Sequence, residues 1–295
     1  MNDRQAFRIV GRREPESRPL PRPHGARRFP WVSAAVLAVL LLGFALADVI
    51  APRDPSYLDL NHCNLAPCRN FLFGTDSLGR DLFSCIWYGG RISVAIGLLA
   101  TAISTAVAMV YGTLSGLASD RFDHLLMRLT ELLLSVPSLL LILFLQAIFG
   151  KPSALSISLV IGLSSWCSIA KLIRTEVRQL RTSGYVVASK AMGGSFFYLL
   201  RRHLAPNFLP SVTFMVVMNI RSAMIDESTL SFLGMGLPLD TVSWGSLLSQ
   251  ADKALTSGAW WLIVIPGLFL VTLLLCITNL GNWLRTAAGP KESNL

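Results

Sequence analysis

Long apolar runs dominate this chain, and they do not alternate with polar positions. Six windows stand out: Trp31–Ile50, Ile92–Ser119, Leu132–Gly150, Pro152–Ala170, Asn207–Leu239 and Ala254–Leu284. A helix needs about 20 mostly apolar residues to cross the hydrocarbon core of a bilayer. Barrel strands would instead alternate apolar and polar residues over about ten positions. The pattern predicts an all-α integral membrane protein with six transmembrane helices. The last window, with 31 uncharged residues, exceeds one straight span, so part of it is expected at the interface. Trp31–Ile50 is read as a retained helix and not a cleaved leader, because its basic lead and its apolar run are both long for one.

Composition supports the reading. Only 15% of the 295 residues are charged, against about 25% in an ordinary soluble domain. The formal net charge of +9 would suit a nucleic-acid partner, but its distribution argues against one. Residues 1–30 hold eight Arg, and Lys171–Arg202 hold seven Lys or Arg, whereas the 51–91 connection balances four Arg with four Asp. Basic residues concentrate on cytoplasmic loops of membrane proteins. Both termini are therefore expected on the cytoplasmic side of a bacterial inner membrane, with membrane lipid as a partner and no nucleic acid.

Along the chain this gives a basic, disordered cytoplasmic arm at 1–30, a first helix at 31–50, and an external loop at 51–90. A transmembrane core follows at 91–285, interrupted by a cytoplasmic loop at 178–206, with a short tail at 286–295. Within the external loop, Thr75 or Asp76 is expected to cap a short helix that runs toward Tyr88 and breaks at Gly89-Gly90. Asp76, Arg80 and Asp81 are placed to pair locally. In the cytoplasmic loop the order is helix, glycine break at Gly193-Gly194, short aromatic and basic helix, and a stop at Pro206. Gly112 and Gly116 allow close helix approach, and Gly234 and Gly236 mark a break after the fifth span.

Charges inside spans are expensive and so are functional candidates. Arg221, Asp226 and Glu227, with Asn219 nearby, either knit the bundle or line a translocation path and its gate. Arg128 and Glu131 are spaced to pair on one helix face beside His124. Cys63 and Cys68 lie five apart on the oxidising side, where a disulfide, a soft-metal contact with His62, or two free thiols are all open. No spacing for a resident metal site, no nucleophile elbow and no phosphate-cradling Gly-x-x-x-x-Gly-Lys-Ser/Thr is present. The chain is expected to be no enzyme and to bind no cofactor.

Four stretches resemble the permease subunits of ABC importers for dipeptides, oligopeptides and nickel, the DppC/OppC/NikC family. They are Phe73-Gly74-Thr75-Asp76-Ser77-Leu78-Gly79-Arg80-Asp81, Arg91-Ile92-Ser93-Val94, Tyr185 to Ser195 with His203 to Asn207, and Leu230 to Gly236 with Ser243-Trp244-Gly245. The resemblance implies a type I importer bundle that works with a sister permease, two ATP-binding subunits carrying ATP and magnesium, and an extracytoplasmic substrate-binding protein. It implies that Ala188, Lys190, Ala191, Gly193, Gly194, Ser195 and Pro206 belong to the loop that docks on the ATPase. Val187 stands where the family's motif has Glu, and Ser189 replaces its second Ala. The cargo is a di- or oligopeptide, nickel or a metal chelate. The alternative from another class is an ion-coupled secondary carrier in which Asp226 and Glu227 bind the coupling ion.

Overall fold

The computed structural model describes residues 29–181, 184–193, 195, 198, 202, 205–238 and 240–287. Among them every regular element is helical. The arm at 1–28, Gly194 and the tail from 288 lie outside the described residues, as do the side chains of Ala188, Lys190 and Pro206.

The first apolar window forms α1 (Trp31–Ala45) and a single turn, α2 (Ala47–Ile50), broken at Leu46. Arg91 holds the break. Its Nε donates to the Phe44 carbonyl at 2.9 Å, and its terminal nitrogen donates to the Ala45 carbonyl at 3.1 Å and to Asp48 Oδ2 at 3.0 Å. These are carbonyls that a helix end leaves without an internal partner.

The second window is longer than the sequence suggests. Helix α3 (Leu82–Leu117) is 36 residues long and is capped by Asp81, which accepts the Ser84 N–H at 3.0 Å, so neither Thr75 nor Asp76 is the cap. Gly89 and Gly90 do not break it. A Cβ on Gly90 would lie 2.5 Å from the Phe44 ring, and one on Gly89 would lie 3.2 Å from the Ser243 backbone. These glycines are where other segments press on a continuous helix.

The third window is split. Helices α4 (Asp120–Ser135) and α5 (Ser138–Phe149) meet at 92°. Pro137 has no N–H to continue the ladder and pushes Val136 out of the helical region, to φ −85°, ψ 130°. Helix α6 (Ala154–Leu180) starts at a reciprocal Ser153/Ser156 cap and runs past the predicted apolar end into the basic segment. Helix α7 (Gly184–Ala191) follows.

Helix α8 (Ala205–Phe232) ends where Gly234, at φ +77°, lets the Met235 N–H reach the Leu230 carbonyl and its own N–H reach the Ser231 carbonyl, both at 3.0 Å. The expected break after the fifth window is therefore a glycine-terminated helix end. A short helix, α9 (Trp244–Leu248), precedes the last window, whose excess length resolves into the end of α10 (Ala251–Ser257) ahead of α11 (Trp261–Ala287).

By length and composition, α3, α6 and α11 are apolar enough to cross a membrane, and the bent α4–α5 pair makes a fourth. Helix α1 is a shorter apolar helix.

Helices α3 and α6 run parallel and form the most extensive contact in the molecule. Gly112 makes this contact possible, since a Cβ there would lie 2.6 Å from the Ala170 carbonyl oxygen. Gly116, one turn on, faces Val177 in the same seam. Helix α8 lies against α3, α6, α9 and α11. One apolar cluster, around Phe44, Ile86, Trp244 and Trp261, fills the end of the bundle that carries loop 51–81. A second, around Trp166, Ile173 and Val177, fills the opposite end.

Candidate functional site: a polar cavity along α8

A cavity of about 390 Å³ opens where α6, α8 and the α4–α5 elbow meet. Helix α8 contributes Met215, Met218, Asn219, Ser222 and Asp226, positions that recur every three or four residues and so share one face. Helix α6 contributes Ser164, Ser165, Cys167 and Ser168, and the elbow contributes Leu134 and Ser138. From Met215 to Asp226 the cavity follows α8 for about 16 Å, half the thickness of a hydrocarbon core.

Several wall groups have already committed a donor. Ser164 and Ser165 both donate to the Ile161 carbonyl, at 2.9 and 2.8 Å. Asn219 Nδ2 donates to Ser104 Oγ of α3 at 2.6 Å. Asp226 is half-buried and accepts no hydrogen bond and forms no ion pair among the described residues.

Glu227, the next residue, is in a different environment. It is fully buried and lies outside the cavity. Oε1 accepts from Ser243 at 2.7 Å and from Ser231 at 3.1 Å, and Oε2 accepts from Ser93 at 3.2 Å. Ser93 in turn accepts the Trp244 N–H at 3.2 Å. Glu227 thus ties α8 to α3 and to the start of α9. Among the described residues Arg221 forms no ion pair with either acid, and its Nε is buried without a partner. Of the four intramembrane candidates, the structure places Asn219 and Asp226 on the cavity and Glu227 in a packing tie.

The external-loop motif is a self-braced turn. Asp76 Oδ1 accepts the N–H groups of Leu78 and Arg80, at 2.9 and 2.8 Å, and Oδ2 accepts Arg80 Nε at 2.7 Å. Of the expected local pairing, Asp76 with Arg80 is formed with both side chains buried, and Asp81 caps α3. Gln250 Nε2 reaches Asp76, and Trp261 Nε1 donates to the Thr75 carbonyl at 3.1 Å, which fastens the loop to α10 and α11. Gly74 and Gly79 both have positive φ, and a Cβ on Gly79 would collide with the Asp59 carbonyl. Hollows of about 780 and 690 Å³ open on this loop, larger than the cavity along α8 but lined by exposed loop residues such as Arg53, Ser56 and Tyr57. His62 Nδ1 sits 2.7 Å from Asp59 Oδ2, and this contact, foremost among several, holds the Asp59 carboxyl below its usual range. Cys63 and Cys68 are free thiols, so the disulfide is not formed. Cys63 Sγ donates to the Leu60 carbonyl, and the Cys68 backbone pairs with Phe71, which holds the two cysteines in separate local turns.

At the other end, Asp123 of α4 is buried and accepts from Ser115 of α3 and from Arg174 and Arg178 of α6. Arg178 also reaches the exposed Asp120 at 2.6 Å. Sequence reading missed this cluster, although two Asp at the start of a helix facing two Arg one turn apart were a visible signal. It also missed the serines of α6, visible as Ser164, Ser165 and Ser168 inside an apolar run. The expected Arg128–Glu131 pair is formed at 3.3 Å on the surface. Beyond α6, the described part of the predicted docking loop exposes Val187, Ala191, Met192, Gly193 and Ser195, and Gly193 has φ +82°.

Comparison with known proteins gives a consistent result. The family described as binding-protein-dependent transport system inner membrane component matches residues 108–288. The dipeptide transport system permease protein DppC of Bacillus subtilis is 32% identical over 88% of this chain and 82% of the relative. A putative peptide permease of Brucella suis is 34% identical over 92% and 91%, and the probable D,D-dipeptide permease DdpC of Escherichia coli is 31% identical over 88% and 86%. A chain of the MetNI methionine ABC transporter, solved in inward-facing conformations, superposes with a TM-score of 0.53 at 16% identity. That match covers 70% of this chain and 97% of the other.

Proposed function

This chain belongs to the binding-protein-dependent transport inner membrane components, as an ABC importer permease of the DppC/OppC group, and from that premise we propose that it carries di- or oligopeptides across the inner membrane. The observation that carries the reading is the polar cavity along α8, set between apolar helices and closed on one side by the α4–α5 elbow. Its serines, Asn219 and Asp226 supply polar partners for a hydrated, zwitterionic cargo.

In this proposal six spans, with both termini cytoplasmic, pair with a sister permease to enclose the path. A substrate-binding protein delivers cargo to the face that bears loop 51–81. ATP and magnesium act on two separate subunits. The loop at 178–206 docks on those subunits, and the clustered Arg174 and Arg178 at the end of α6 pass its displacement to α4 through Asp123. Alternating access follows from differential contacts in the two ATPase states. The ion-coupled alternative draws no support from these relatives, and Glu227, one of its two acids, already has three donors.

Uptake of labelled dipeptides and of nickel by a strain lacking and then regaining this gene, together with affinity purification of the chain, tests the proposal. ATP-dependent peptide uptake and recovery of an ATPase subunit are expected. Nickel uptake without peptide uptake would reassign the cargo, and uptake with no ATPase partner would overturn the proposal.

A further inference from the structure

Resting on that reading, we infer that Asp226 is a specificity-determining residue, a pairing station for a cationic side chain of the cargo. Three observations carry it. Asp226 faces the cavity without a donor among the described residues, whereas the adjacent Glu227 has three. A carboxylate kept for packing is normally satisfied, because burying it unpaired is costly. The same wall offers acceptors: Ser164 and Ser165 donate their protons to the Ile161 carbonyl, and neither their oxygens nor the Asn219 side-chain carbonyl accepts a hydrogen bond among the described residues. The complement of such a wall is a compact group with several donors and positive charge, and an ammonium has three N–H donors and no acceptor. Finally, Arg221, five positions back on the same helix, has its Nε buried without a partner and forms no ion pair with Asp226 among the described residues, so the carboxylate is not neutralised from within α8.

The test uses the complete transporter and two dipeptides that differ in side-chain charge, Lys-Ala and Asp-Ala. The readout is the ratio of their initial uptake rates, with ATPase activity recorded alongside. Wild type is expected to favour the cationic dipeptide, and Asp226→Asn is expected to shrink that ratio by about tenfold, the lower end of what a cleft of one charge sign produces. Ser222 lines the same cavity one turn earlier on α8. Ser222→Glu combined with Asp226→Asn should restore the ratio, because the carboxylate has only moved along the wall. Ser222→Lys in the otherwise wild-type chain should collapse it by occupying Asp226, which keeps the test decisive if Asp226→Asn does not assemble. Both rates falling together with the ratio unchanged would overturn the inference and leave the permease reading intact. Wild type importing neither peptide would overturn that reading itself.

Discussion

Asp226 and Glu227 are consecutive on α8, about 100° apart around its axis, and they face unlike surroundings: Asp226 an unpaired place on the cavity wall, Glu227 a cage of three serine hydroxyls. Two acids that look equivalent in sequence therefore do different work. One is available to a visitor. The other joins α8 to α3 and to the segment leading into α9.

Glu227→Ala removes the shared acceptor and leaves the hydroxyls of Ser93, Ser231 and Ser243 facing a void. The expected cost is about 2–4 kcal/mol, from lost hydrogen bonds and stranded donors. It should appear as a lower melting temperature of the purified transporter. Glu227→Gln keeps one acceptor oxygen and should lose less. Equal melting of Glu227→Ala and wild type would show that the tie contributes nothing.

The two aspartates at the start of α4 should behave unequally. Asp123 is buried between Arg174 and Arg178, so Asp123→Ala leaves Arg174 without its carboxylate and Arg178 with Asp120 alone, a loss of about 1.5–3 kcal/mol. Asp120 is exposed and pairs only with Arg178, so Asp120→Ala should cost under about 1 kcal/mol. The steady-state level of each variant in the membrane, with its melting curve, checks the ranking.

Arg80→Met leaves the Asp76 carboxylate buried without its guanidinium partner. Loss of about 3–5 kcal/mol in this turn is expected, and limited proteolysis between residues 51 and 81 should become much faster. An unchanged cleavage pattern would contradict the bracing role assigned to the pair.

Gly112→Ala should weaken the α3–α6 contact, because the new Cβ meets a backbone carbonyl oxygen at 2.6 Å and neither helix can yield without parting from the other. Gly267→Ala is the matched control. It lies inside α11 with no atom within 4 Å of its Cβ, so it should stabilise by up to about 1 kcal/mol through helix propensity alone. Thermal unfolding of both variants in detergent tests the contrast.

Much of the architecture was legible from local pattern. The apolar windows located the helices, Gly234 marked the end of α8, and the spacing of Asp76 and Arg80 announced their pair. Other features were misread for identifiable reasons. Gly89 and Gly90 look like a helix break, yet they serve contacts with Phe44 and Ser243 that no local rule reveals. Pro137 sits inside an apolar window and bends it at Val136, a signal that hydropathy averages away. For Cys63 and Cys68 the spacing left a bridge, a soft-metal contact and free thiols equally open, and the structure has free thiols in separate turns around Leu60 and Phe71.

What the sequence determined by itself is that this chain is a helical membrane protein. In lipid each segment has to satisfy its own backbone hydrogen bonds, so apolarity and length settle the matter within a window of about 20 residues. What only the tertiary structure decided is the division of labour between the adjacent acids. The donors that claim Glu227 come from Ser93, 134 positions away, and Ser243, 16 positions away, and the wall that leaves Asp226 open comes from α6 and the α4–α5 elbow. Those neighbours are set by helix packing, a long-range property that no window of sequence contains.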